Sequence, residues 1–351
     1  MVHGKNQHFV SQFYFRNFSL DGKTICLFNL NNKKFIQSAS IKDQCSKDYF
    51  YSKDPRVETL FSSLETSSKE LISQIINNQN LSCLSEEQKQ TLKRYLLFQH
   101  GRTEYARDSE EETANALFEL YKPNIAECAK DQGVEISTEK LKNMKIKSNS
   151  KNSVLLSLVS GPLLYDLSMI LLDNKTQTDF IFSDNPVVFY NSFFNDKVPN
   201  GTEGISSTGL QIYFPLNSKL ALFIFDPTFY DLGQSEKTTI NKDSDIQRLN
   251  GLQILYCNEH IYFGNMRMKD QIFLRYNQLK SKRPKQKTVN GVVASRIAED
   301  GTYRELWHTS STKIKYNLED LSFLKHKKTE IPYGLRNPEM TEINYNILDA
   351  I

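Results

Sequence analysis

"TDFIFSDNPVVFY" (residues 178–190) and, further on, "GLQIYFPLNSKLALFIFD" (209–226) decide the fold class of this chain. Both are dense in β-branched and aromatic residues, interrupted by Asn, Asp and Pro, as strands separated by turns are. With "KDSDIQRLNGLQILYCNEHIYF" (242–263), a helix ending in a short strand, they predict a sheet region over about 178–263. Toward the N-terminus the pattern turns helical. "SEEQKQTLKRYLLFQHGRTEYAR" (85–107) has Ser85 and Gln88 at capping-box spacing, and "DPRVETLFSSLETSSKELISQIIN" (54–77) is amphipathic, with Asp54 and Pro55 at its start. "DGKTICLFNLNNKKFIQSASIKD" (21–43) predicts a hairpin with turn signals at Asp21-Gly22 and Asn31-Asn32. The apolar run "SVLLSLVSGPLLYDLSMILLD" (153–173) predicts a buried helix. Gly161-Pro162 and Asp166 make it a poor candidate for a membrane span of about 20 residues.

These elements predict an α+β protein, an N-terminal helical portion with a small hairpin packed on a mixed or antiparallel sheet. One domain is expected over residues 1–265. Residues 108–152 read as weakly helical, with a flexible insertion near 130–152 around "KLKNMKIKSNSKNS". Residues 266–351 read as a basic, irregular extension packing on the domain, with a hairpin-like "GVVASRIAEDGTYRELWHTS" (291–310) about Asp300-Gly301.

Composition narrows the function classes. The 351 residues are 39% hydrophobic and 11% aromatic with a net charge of +3, enough for a large core and balanced in sign. A nucleic-acid partner would need a local basic patch, for which the run Lys280, Lys282, Arg283, Lys285 and Lys287 is the candidate. Cys26, Cys45, Cys83, Cys128 and Cys257 are too far apart for a zinc knuckle or a CxxC pair, so reduced thiols in a cytoplasmic protein are expected. "MVHGKNQHFV" has no apolar signal core, and no membrane association is expected. Phosphate-loop, GxGxxG, HExxH and GxSxG motifs are absent. The oligomeric state is not legible.

Three polar groups stand out. In "HFVSQFYFRNFS" (8–19) a helix over 8–18 would place His8, Gln12 and Arg16 on one face and aromatic residues around the rest. A buried helix must give such groups partners, since an unpaired buried polar group costs about 1–3 kcal/mol. On 85–107 the inward stripe Leu92, Tyr95, Leu96 continues as Gln99 and Arg102. An inward Arg must meet an anion, either a protein carboxylate (Glu58, Glu65, Glu70 or Asp184) or a ligand. Ser183, Asp184 and Asn185 follow a strand, where ligand contacts often gather, although Asn185 also suits a turn.

Five landmarks in order, "HFVSQFYFRNF" (8–18), "FQHGRT" (98–103), "FIFSDNPV" (180–187), "IYFPLNSKLAL" (212–222) and "LNGLQI" (249–254), resemble a bacterial domain-of-unknown-function family, the one numbered four-two-three-eight. The resemblance spans roughly residues 5–265 and implies no established activity. It departs at Ser11, where the family usually has Pro.

The residues allow three readings. In the first, a phosphoester-acting enzyme cleaves a nucleotide or nucleic acid. His8 and Asp184 would be catalytic, with Gln12, Arg16, Gln99, Arg102, Ser183 and Asn185 binding substrate. Asp184 would be the ligand of any divalent metal; no other cofactor is indicated. A toxin or phage-defence setting is expected only from the style of such families. In the second, the same residues form a non-catalytic site for a nucleotide or protein. In the third, they are a buried structural network.

Overall fold

The computed structural model describes residues 6–51, 53, 55–134, 136–148, 151–198, 200–233, 235–297 and 303–349. Asp54 and the Asp300-Gly301 turn, both singled out in the sequence, lie outside the described residues. The chain is α+β. Its N-terminal part runs β1 (Asn6–His8), α1 (Gln12–Arg16), β2 (Thr24–Asn29), β3 (Lys34–Ser40) and β4 (Ser46–Asp48), then the helices α2 (Pro55–Asn78), α3 (Glu86–Gly101), α4 (Glu104–Asp131), α5 (Thr138–Asn143) and α6 (Lys151–Val159). The sheet region contains β5 (Ser168–Asn174), β6 (Phe182–Ser183), β7 (Val188–Tyr190), β8 (Gln211–Pro215), β9 (Leu220–Phe225), β10 (Tyr230–Asp231), β11 (Lys237–Ile240), α7 (Asp243–Tyr256) and β12 (His260–Phe263). The C-terminal part adds α8 (Lys269–Leu279), β13 (Thr288–Ile297), β14 (Tyr303–Ser311), β15 (Lys325–His326) and α9 (Pro338–Asp349).

Two sheets organise the molecule. One is mixed, in the order β11-β5-β9-β8-β7, with β11 parallel to β5 and the other pairs antiparallel. The other is antiparallel, β3-β2-β12-β6, so the predicted hairpin is joined by a strand more than two hundred residues later in the chain. The five-stranded sheet is apolar on both faces, which is why its strands read as continuous hydrophobic runs. Leu171, Ile212, Phe214, Leu222 and Ile224 belong to the core shared with α1, α2 and α3. Their neighbours Ile170, Leu172, Tyr213, Ala221 and Phe223 belong to a second core, shared with α7 and α8. Residues Ile314, Tyr316, Leu318, Leu321 and Leu324 of the C-terminal part are buried in that second core.

Several sequence expectations need correction. The run 153–173 is not one buried helix: α6 ends at Val159, a short turn spans Gly161–Leu164, and β5 occupies the interior of the five-stranded sheet. The Gly-Pro pair stops the helix, and a short apolar run has no periodicity to separate a buried strand from a buried helix. Nor is α6 buried throughout, since Leu155 and Leu156 are exposed. The expected helix 85–107 ends at Gly101, and Thr103 caps a new one, its hydroxyl accepting the N–H of Ala106 at 3.2 Å. Residues 108–131, expected to be weakly helical, continue this 28-residue helix, α4, with Pro123 inside it. Residues 144–148 run back along α4, where Asn115 bonds the backbone of Ile146 at both its N–H (2.9 Å) and its carbonyl (3.0 Å).

Candidate functional site

The opening segment is shorter as a helix than its pattern predicts. His8 ends β1, paired with β4, and α1 begins only at Gln12. The polar stripe survives nonetheless. Gln12 Nε2 lies 3.3 Å from His8 Nε2, and Arg16 donates to Gln12 Oε1 at 2.9 Å. Behind this stripe Tyr14 and Phe15 are fully buried, and the Tyr14 hydroxyl donates to the Pro215 carbonyl at 2.5 Å, tying α1 to the five-stranded sheet. Facing the stripe, Arg102 is 1% exposed at the C-terminal end of α3. Its guanidinium donates to Glu65, to the Ser11 hydroxyl and to Gln99 Oε1 (2.6 and 3.1 Å). Gln99 in turn donates to the Phe9 carbonyl at 2.9 Å, and Ser11 to Glu65 at 3.0 Å. These bonds cross-link α1, α2 and α3.

Between them lies a cleft of about 300 Å³ lined by His8, Gln12, Arg16, Tyr51, Glu65 and Arg102, among others. His8 Nε2 is 3.0 Å from the Lys42 carbonyl, and the Tyr51 hydroxyl donates to the His8 carbonyl at 2.7 Å. Burial lowers the His8 pKa, against the Lys42 carbonyl and Glu65, which raise it, so the imidazole is neutral at pH 7. With Nε2–H donated to Lys42, the lone pair is on Nδ1. Arg16 is exposed at the cleft and has no carboxylate partner among the described residues. Tyr51 was missed in the sequence because nothing in its local pattern marks it; Glu65 was visible only as a candidate partner for Arg102.

Ser183, Asp184 and Asn185 do not line this cleft. Asp184 is 2% exposed, and its two carboxylate oxygens accept the backbone N–H groups of Asn258, Glu259 and His260 at 2.7, 2.6 and 2.8 Å. Burial pushes its carboxyl pKa up and these three donors pull it down. The Ser183 hydroxyl donates to Gln253 at 2.9 Å, and Asn185 donates to the Tyr256 carbonyl at 3.1 Å. Asn250 and Gln253 of α7 complete the junction, bonding the backbone of Asp179 and Ile181 and of Ser183 and Pro186 respectively. The two-residue β6 thus has backbone groups satisfied by side chains of a helix, which explains why "FIFSDNPV" and "LNGLQI" occur together. No group of three or more His, Cys, Asp or Glu is placed to hold a metal ion among the described residues.

A family model described as a protein of unknown function, DUF4238, matches residues 6–267. The chain belongs to this family. No curated protein and no solved structure matches the chain. Every landmark of the resemblance falls inside the DUF4238 region, and so do all the cleft residues. The Ser11 departure is legible in the geometry: φ is −63°, the value proline imposes, and the serine adds a hydroxyl that Arg102 and Glu65 both bond. No helix among the described residues is long and apolar enough to cross a membrane.

Proposed function

We propose that the His8 cleft binds and cleaves a phosphoester of a nucleotide or nucleic acid. The observation that supports this best is a neutral imidazole, His8, lining the same cleft as a guanidinium, Arg16, that has no carboxylate partner among the described residues, with Gln12 between them. In this reading His8 takes the proton of the attacking hydroxyl or water, and Arg16 holds the phosphate oxygens. Arg102 is already neutralised by Glu65 and positions the wall, with Gln99 orienting it. Asp184 has both oxygens occupied and serves the β6–α7 junction, so the reading gives it no part in the chemistry. Two members of the basic run are engaged within the fold, since Arg283 donates to the carbonyls of Cys257 and Asn258 and Lys287 pairs with Asp108, while Lys280, Lys282 and Lys285 are exposed.

The test is turnover of bis(4-nitrophenyl) phosphate and of labelled single-stranded RNA and DNA, with magnesium and with chelator. His8→Ala is expected to lower kcat/KM by at least about 100-fold with an unchanged melting temperature, within the usual range for a general base. Arg16→Ala is expected to act mainly on KM. A second reading, a recognition site without catalysis, is favoured by the pairing of Arg102 with Glu65, Ser11 and Gln99; binding lost in Arg16→Ala with no turnover in the native protein would select it.

A further inference from the structure

A second cleft holds a buried amine that forms no ion pair among the described residues. Lys93 lies on the buried face of α3 and is 4% exposed. Its Nζ donates to the carbonyl oxygens of Leu167 at 2.7 Å and Tyr165 at 3.2 Å, in the segment that leads into β5. Among the described residues no carboxylate forms an ion pair with it. Lys89, one turn earlier, differs: it is paired with Glu86 at 2.7 Å and Glu236 at 2.5 Å. A cleft of about 340 Å³ meets these groups and is lined by Glu86, Lys89, Lys93, Leu167, Phe225 and Glu236, among others.

The hydrogen bonds fit the neutral amine. An –NH₂ group has two N–H donors and one lone pair, and two carbonyls accept the two donors. The remaining position on nitrogen has no hydrogen-bond partner among the described residues, so there an ammonium would leave its third proton unbonded. Burial pushes the Lys93 pKa down to about 8; Arg336 and Lys89 act in the same direction, and Asp166 and Glu86 oppose them. At pH 7 roughly a tenth of such amines are neutral, against a few in ten thousand for an exposed lysine near pKa 10.4.

We propose that Lys93 is a reactive site, separate from the His8 cleft, whose amine condenses with a small aldehyde or ketone admitted by this cleft. The nitrogen lone pair attacks the carbonyl carbon, forming the C–N bond while the carbonyl π electrons go to oxygen. The resulting carbinolamine loses its oxygen as water. In sum, amine, carbonyl compound and one proton give a protonated imine and water, with no change of oxidation state. The one N–H left on the protonated imine is enough to keep the bond to Leu167. A cationic neighbour and a desolvated site are what favour such lysines as nucleophiles.

The full-length protein is treated with propanal and sodium cyanoborohydride, which reduces the imine to a stable secondary amine, and each lysine is followed by peptide mass spectrometry. At pH 7 Lys93 is expected to react at least about ten-fold faster than the exposed Lys23 and Lys34, with a rate that rises through pH 8. Lys93→Met should remove that product alone. Labelling of Lys93 at or below the rate of Lys23 in the folded native protein overturns the proposal, and this comparison needs no variant to fold.

Discussion

Arg102 shows how a single residue's charge sets the design of the His8 cleft. It is buried, and Glu65, Ser11 and Gln99 together accept four hydrogen bonds from it. Glu65→Ala would leave a buried cation unpaired, at a cost of roughly 3–5 kcal/mol. Urea unfolding should show this as a lower midpoint, and an unchanged midpoint would mean that water replaces the carboxylate. The stripe His8, Gln12, Arg16 was legible in the sequence because spacings of four survive even when only part of the segment is helical. That Asp184 lies elsewhere was not legible, since a polar triplet after a strand looks the same whether it faces a cleft or caps a turn. Titration gives a second test. Burial lowers the pKa of His8, His100 and His326 below 6.5, so the unfolded chain binds more protons just below pH 6.5 and stability falls as the pH drops through the lowered values. Glu203 has the opposite sign. Burial raises it from 4.5 to about 7, against its bonds from Tyr256 and Ser311, so the stability it contributes is present below pH 4.5 and lost as the pH rises through 7. Glu203→Gln should therefore gain on the native protein by about 1–2 kcal/mol between pH 5 and pH 8 in paired urea melts, solvent screening having been discounted. A constant difference across that range would show that Glu203 is ionised in the fold throughout.

Elements announced by side-chain chemistry were readable, and elements announced by contacts were not. The start of α3 is the clearest case: the Ser85 N–H donates to Gln88 Oε1 at 2.8 Å and the Gln88 N–H to Ser85 Oγ at 3.2 Å, the reciprocal pair that the spacing predicts. The hairpin of β2 and β3 was readable from its turns. By contrast, β5 is a strand because β9 and β11 flank it, and nothing in Ser168–Asn174 says so. The end of α3 is also set from outside. A Cβ on Gly101 would lie 2.8 Å from the Ser153 carbonyl oxygen and would collide with the Ser157 side chain, so the glycine permits α3 and α6 to touch. Gly101→Ala should force the helices apart at a cost of roughly 1–3 kcal/mol, despite alanine's better helix propensity. The equilibrium unfolding free energy measures the sign: a stabilised variant would mean that α6 moves freely away from α3.

At the scale of the whole molecule, the question is how much chain the two-faced sheet requires. The family match ends at residue 267, yet the second core is completed from beyond it. Ile314, Tyr316, Leu318, Leu321 and Leu324 are each at most 6% exposed. The Tyr316 backbone carbonyl accepts from Tyr190 and Asn195, and its hydroxyl donates to the Arg248 carbonyl at 2.8 Å. Further on, Arg336 is buried and donates to Asp166 and to the carbonyls of Leu163, Ile205 and Ser207, fastening the segment across the far side of the sheet region. That residues 266–351 pack on the domain was expected from the sequence, but which side chains enter the core was not legible, because the segment lacks long regular structure and burial of an irregular strand leaves no periodicity. The magnitudes decide what it does. Each such side chain contributes about 1.5–3 kcal/mol on burial, so five contribute on the order of 10 kcal/mol before entropy is counted. That is comparable to the net stability of a whole domain, about 5–15 kcal/mol. A chain ending at Ser311 should therefore lose its cooperative thermal transition or melt more than about 10 °C lower, even though it retains the entire family-matched region. Circular dichroism melts of the two chains decide it. A truncated protein that melts like the full one would show that the family region folds alone and that the segment only lies upon it.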